Sequence, residues 1–121
     1  MNRLIIDAAG ENIFFVLINN KDIYNITYEN TKTNFEKLMI LINEFLNSKN
    51  LKNLNNIFVN QGPGKFSGIR AALSTAKALS FANKIDLYGF NSDQVIDQNY
   101  TKIIDLFNKG VLIKNLIKPQ Y

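Results

Sequence analysis

Asp7 closes a short apolar run, Leu4 to Ile6, and is followed by Ala8-Ala9-Gly10. A carboxylate at such a strand end could help hold hydrated Mg2+ near phosphates, and the small-residue turn could let a phosphate approach. It could equally accept hydrogen bonds within its own turn. A second candidate is Asn60-Gln61-Gly62-Pro63-Gly64-Lys65-Phe66-Ser67-Gly68-Ile69-Arg70, which lies between the apolar run Ile57 to Val59 and an alanine-rich helical pattern, Ala71 to Ala82. Two glycines around a proline let the backbone reverse sharply. Ser67 stands where an N-cap would stand, so the junction would expose helix N–H groups able to hold an anion. Lys65 and Arg70 flank it and could add positive charge, or the whole turn could be a close packing corner.

Other chemistry is excluded or poorly supplied. The chain has no cysteine and no histidine, which removes disulfides, thiolate and imidazole chemistry and zinc-finger sites. The glycine turn lacks the G-x-x-x-x-G-K-[ST] spacing of a phosphate-binding P-loop. A two-metal nuclease needs several converging carboxylates. Asp7 and Glu36 could supply two, but Asn60 and Gln61 stand where another would be needed.

The elements that must position these residues follow from periodicity. Leu4 to Ile6, Ile13 to Ile18 and Ile23 to Tyr28 read as a three-stranded meander, joined through Ala9-Gly10-Glu11-Asn12 and Asn19-Asn20-Lys21-Asp22. Helical spacing of Phe35, Leu38, Met39, Leu41, Ile42, Phe45 and Leu46 predicts one helix from about Lys32 to Asn47, with Ile40 on the opposite side. A polar link, Ser48 to Asn56, leads to strand Ile57 to Val59 and a helix from Ser67 to about Ala82. A fifth strand, Ile85 to Phe90, a polar bridge and a last helix, Tyr100 to Asn108, follow; Val111 to Ile117 has no clear period. The order βββαβαβ predicts an α/β fold with a mixed sheet of about five strands and flanking helices.

A chain of 121 residues, 46% hydrophobic, has room for one domain and no apolar run able to span a bilayer. Its start lacks the pattern of a secretory signal, so a cytoplasmic location without membrane contact is expected. The net charge of +4 would suit an acidic partner such as tRNA, although the lysines are scattered, as an AT-rich coding bias would scatter them.

The word Gly62-Pro63-Gly64-Lys65-Phe66-Ser67-Gly68-Ile69-Arg70 resembles the G-P-G-S-F-T-G-L/I-R loop of the bacterial tRNA threonylcarbamoyladenosine biosynthesis protein TsaB (YeaZ) family. Leu4 to Ala9 resembles that family's opening strand, Asn30-Thr31 with Phe35 to Leu38 its first helix, Leu87 to Ser92 a later strand, and Lys118-Pro119-Gln120-Tyr121 its tail. Where relatives often carry His-Ser-Glu, this chain has Asn34-Phe35-Glu36. The resemblance implies one actin-like, ribonuclease-H-like lobe over residues 1–92. Residues 93–121 would be a short extension in place of the usual second lobe.

The resemblance further implies a non-catalytic subunit, without a cofactor of its own. Such a subunit pairs with a TsaD-type catalytic protein and supports threonylcarbamoyl transfer to tRNA adenosine, with a TsaE-type ATPase binding the pair. The histidines that hold the metal in the TsaD family are absent here. The implied helix-bundle contact carries over to Phe35, Glu36, Leu38 and Ile42 on the first helix and Ile69, Leu73, Ala76 and Leu79 on the second. Small residues all round the second helix would let a neighbour approach closely. The alternative is a small homodimeric nucleotide-binding or ATPase lobe, holding ATP between Asp7, Gly10, Gly62, Gly64 and Ser67; a degenerate relative that only self-associates is a third possibility.

Overall fold

The computed structural model describes residues 1–121 except Lys21, Leu51, Lys52, Leu116 and Tyr121. Parts of the expected second turn, of the Ser48–Asn56 link, of the Val111–Ile117 run and the end of the expected tail motif therefore lie outside the described residues. Three strands, β1 (Arg3–Asp7), β2 (Asn12–Ile18) and β3 (Ile23–Glu29), form the antiparallel meander that the turn residues predict. They are followed by α1 (Lys32–Phe35), α2 (Leu38–Ser48), β4 (Asn56–Asn60), α3 (Phe66–Asn83), β5 (Asp86–Phe90), a 3-10 turn (Ser92–Gln94), α4 (Thr101–Asn108) and β6 (Ile113–Lys114).

Among the described residues the sheet has six strands in the order β3-β2-β1-β4-β5-β6, one more than the sequence predicts. β4 lies parallel to both β1 and β5, whereas β6 runs antiparallel to β5. β6 escapes sequence reading because two residues carry no period.

Alternation along the strands divides the apolar side chains between two cores. Leu4, Ile6, Ile13, Phe15, Leu17, Ile57 and Val59 meet Leu38, Ile42 and Phe45 of α2 and Ile69, Leu73 and Ala76 of α3. On the other face Ile5, Val16, Phe58 and Phe90 meet Tyr100 and Ile103 at α4. β1 and β4, covered on both faces, are almost wholly buried, as parallel central strands are.

Two helix boundaries differ from expectation. The helix predicted over residues 32–47 is broken at Glu36 and Lys37. Thr31 caps α1 by accepting from the Asn34 N–H, and the Lys37 N–H then bonds the Asn34 carbonyl at 3.1 Å, a tighter turn than an α-helix makes. Ser67 is not the cap of α3; Lys65 is, in extended conformation and without a side-chain cap, and Ser67 is an exposed first-turn residue. The helix begins early because the Lys65 N–H is already held by the Ala9 carbonyl at 2.7 Å.

Candidate functional site

Parallel pairing of β1 with β4 brings the ends of those strands together, so Asp7 and Asn60 become neighbours. The Asp7 carboxylate is buried and accepts three hydrogen bonds: from the Ala9 N–H at 3.1 Å, the Asn60 side-chain amide at 3.0 Å and the Tyr100 hydroxyl at 2.7 Å. Tyr100, 93 residues away, arrives across the opposite face of the sheet just before α4. Its hydroxyl is pushed well above the ordinary tyrosine value, first by burial, then by the negative charge of Asp7 and the hydrogen bond to it. Neutral Tyr100 is thus a permanent donor.

Asn60 is equally committed. Its amide also reaches Ser92 Oγ at 3.2 Å, and its oxygen accepts from the Gly62 N–H at 2.8 Å. Ser92 in turn donates to the Pro63 carbonyl at 2.6 Å. The strand ends, the glycine turn and the 3-10 turn are thereby tied into one network. Beside it opens a cleft of about 460 Å3 lined by Asp7, Gly10, Phe14, Asn60, Ser92 and Tyr100 among others. Among the described residues no three carboxylate, histidine or cysteine side chains converge as metal ligands.

Of the residues expected around a nucleotide, Asp7 and Gly10 share the cleft, whereas Ser67 lines a separate depression with Phe66 and Arg70. Gly10 borders the cleft, and its carbonyl is taken by Asn30 at 2.8 Å. The Gly62-Pro63 peptide is cis, and Gly62, at φ +106, lies so close to the Gln120 carbonyl that a Cβ would overlap it. Gly64 lies against Ala9, while Gly68, inside α3, touches the Ala8 carbonyl and the Asn30 side chain, leaving no room for a larger residue. Lys65 pairs with Glu11 at 3.4 Å, and Arg70 lies over the Phe66 ring at 5.1 Å. The glycine turn is a packing corner, built to press α3 and the chain's end onto the sheet.

Most of the expected partner residues face inward. Leu38, Ile42, Ile69, Leu73, Ala76 and Leu79 are buried in the chain's own core, because the small residues of α3 bring it tightly onto β1 and β4. Phe35 is half-buried against that core, and Glu36 is exposed, paired with Lys32 at 3.7 Å. The outward faces instead carry Ile40 on α2 and Arg70, Ser74, Lys77, Ala78 and Phe81 on α3. Phe81 is 89% exposed, the most open of the large apolar side chains described. Sequence reading missed Tyr100 and Ser92; only the Asn60 strand-end position hinted at a partner for Asp7.

A mixed sheet begun by an antiparallel meander, with parallel central strands and helices on both faces, defines one lobe of the actin-like, ribonuclease-H-like class. A family model described as TsaD, tRNA N6-adenosine threonylcarbamoyltransferase, matches residues 26–101, more than half of the chain. The tRNA threonylcarbamoyladenosine biosynthesis protein TsaB of Buchnera aphidicola subsp. Schizaphis graminum is 32% identical over 97 residues, covering 78% of this chain and 46% of that protein. YeaZ from Pseudomonas aeruginosa has a similar fold, with a TM-score of 0.74 at 17% identity over 90% of this chain and 50% of that one. A more distant likeness in fold, TM-score 0.54 at 11% identity, links 78% of this chain to 66% of T. thermophilus RuvC, solved in complex with a Holliday junction substrate. The chain belongs to the family that the model describes and, within it, to the TsaB/YeaZ group. It spans about half the length of the TsaB and YeaZ proteins it matches.

Proposed function

We propose that this chain is a non-catalytic subunit that pairs with a TsaD-type protein and supports threonylcarbamoyl transfer to tRNA adenosine. The observation that carries this reading is the state of Asp7: its carboxylate accepts from three donors of the chain itself, two at Oδ1 and one, a neutral tyrosine, at Oδ2. A carboxylate so engaged is a structural acceptor rather than a holder of hydrated metal. Membership of the TsaB/YeaZ group supplies the pathway.

The pairing surface we assign is the outer side of α2 and α3, around Ile40, Ala78 and Phe81, with Glu36 at its rim. An exposed phenylalanine beside the small residues Ala78 and Ala82 is the kind of surface that another helix covers. A TsaE-type ATPase would join the pair. Contact with tRNA would be indirect, and the location cytoplasmic.

Co-purification of the tagged chain with a TsaD-type protein from its own cell tests the reading. Absence of any such protein in the eluate, at expression levels where the chain is folded, counts against it. Titration with Mg-ATP is the discriminating measurement for a nucleotide-binding lobe: affinity tighter than about millimolar, roughly 4 kcal/mol, would favour that alternative.

A further inference from the structure

The face of the sheet opposite α2 and α3 is only partly covered. The α4 region closes over Ile5, Val16 and Phe58 at its centre and leaves Ile23, on β3, 53% exposed. In the uncovered part lies a pocket of about 240 Å3 that adjoins the Asp7 cleft, Phe14 and Tyr100 lining both. We propose that this pocket binds a neutral nucleobase, its ring held in the pocket and its sugar left in solvent.

Cross-strand pairs build the floor. Phe14, Val16 and Ile18 of β2 lie opposite Thr27, Asn25 and Ile23 of β3, so one column is apolar while the other adds a hydroxyl and an amide. The facing wall is the segment 98–101, where the chain enters α4. Asp97 and Gln98 both hold positive φ, 52 and 58, without being glycine. Left-handed residues of this kind are costly and persist where their surroundings hold them, a recurrent feature of ligand clamps. Here they set Gln98 at the rim of the pocket.

The lining selects the chemistry of the ligand. Among the described residues none that lines the pocket carries a charge, although 20% of the chain is charged, so a phosphate or carboxylate would find no counter-ion there. Phe14 and Tyr100, with ring centroids 5.9 Å apart, offer aromatic surface on which another ring can pack. Asn25, Thr27 and Gln98 are exposed, and among the described residues their side chains have no hydrogen-bond partner. Side-chain amides present donor and acceptor together, the complement of a base edge. The volume exceeds the roughly 150 Å3 that takes one benzene ring, which suits a fused two-ring base. A free nucleoside and a base of single-stranded RNA would both supply this chemistry.

Titration of the isotopically labelled full chain with adenosine, without Mg2+, tests this through backbone amide chemical shifts. The expected result is saturable shifts at Val16, Asn25 and Gln98, with a dissociation constant of about 1 mM or tighter. AMP should bind no more tightly, since no cation lines the pocket to hold its phosphate. Asn25→Ala and Gln98→Gly each remove one amide at an exposed position and should weaken binding at least about five-fold. Gln98→Gly also relieves a left-handed residue, so its melting temperature should not fall. A short oligoadenylate bound more tightly than adenosine assigns the base to RNA; equal affinity assigns it to a free nucleoside. Absence of saturable shifts up to about 10 mM, unchanged affinity in both variants, or cyclohexanol bound as tightly as adenosine overturns the proposal. Shifts confined to residues 7–10 and dependent on Mg2+ overturn it likewise, because they place the ligand at Asp7. The pocket lies across the sheet from Ala78 and Phe81, so its failure would leave the TsaD-type pairing untouched, and the reverse holds.

Discussion

Asp7 gains its meaning from Tyr100, which donates to it at 2.7 Å from a site only 6% exposed. Removing that hydroxyl by Tyr100→Phe leaves one lone-pair direction of a buried carboxylate empty, and should cost about 1–3 kcal/mol in denaturant melts at neutral pH. The same residue sets an alkaline limit. Its folded-state pKa is raised, so above the ordinary tyrosine value of 10.0 the unfolded chain gives up this proton while the folded chain keeps it. The unfolded state then binds fewer protons, and stability falls as pH rises, by about 1.4 kcal/mol per pH unit for one such group. Below that pH the contribution is fully present. Tyr100→Phe should flatten the decline between pH 9 and pH 11, leaving the smaller share of Tyr28, whose pKa is raised in the same sense. A variant that declines as steeply as the parent would show that the hydroxyl does not keep its proton in the fold.

At the scale of elements, α3 holds the sharpest contrast between what the sequence says and what packing decides. Alanine or serine occurs all round the helix, so composition leaves both faces equally fit to be the inner one. The sheet selects Ile69, Ala72, Leu73, Ala76 and Leu79, and leaves Ala78 and Phe81 to solvent. Two substitutions separated by one turn fraction should therefore behave oppositely. Ala76→Arg would force a guanidinium into a fully buried position and should cost more than about 4 kcal/mol, enough to abolish folding. Ala78→Arg should change stability by no more than about 0.5 kcal/mol, yet weaken co-purification with a TsaD-type protein. If Ala78→Arg pairs as well as the parent, α3 is not the docking helix. The meander, the core strands and the position of the glycine turn were legible because turn residues and short apolar runs announce them locally. The break at Lys37, the cap at Lys65 and the strand β6 were not, because backbone bonds to distant or very short segments create them. The same holds for the Asp7–Tyr100 pair, whose members lie 93 residues apart.

Across the whole molecule, the stretch after Ser92 is built into both cores rather than appended to them. Tyr100 and Ile103 complete the core on one face, and Ile117, 1% exposed, enters the core on the other. Gly89 makes that entry feasible, since a Cβ there would crowd Gln61 and the Ile117 side chain. The chain should therefore unfold as one unit. Denaturant transitions followed by far-ultraviolet circular dichroism, which reports the helices and sheet, and by tyrosine fluorescence should coincide, as two-state behaviour requires. Ile117→Ala deletes apolar volume from a closed site and should cost about 2–5 kcal/mol. Because the tail also shields the β5 edge, the loss should move both signals together, with no early transition of the 93–121 segment. An early, separate loss of tyrosine signal would mean that this segment docks on a lobe already stable alone. In that case Asp7 would lose Tyr100 before the lobe unfolds, and the cleft beside it would be open to solvent ligands under mild conditions.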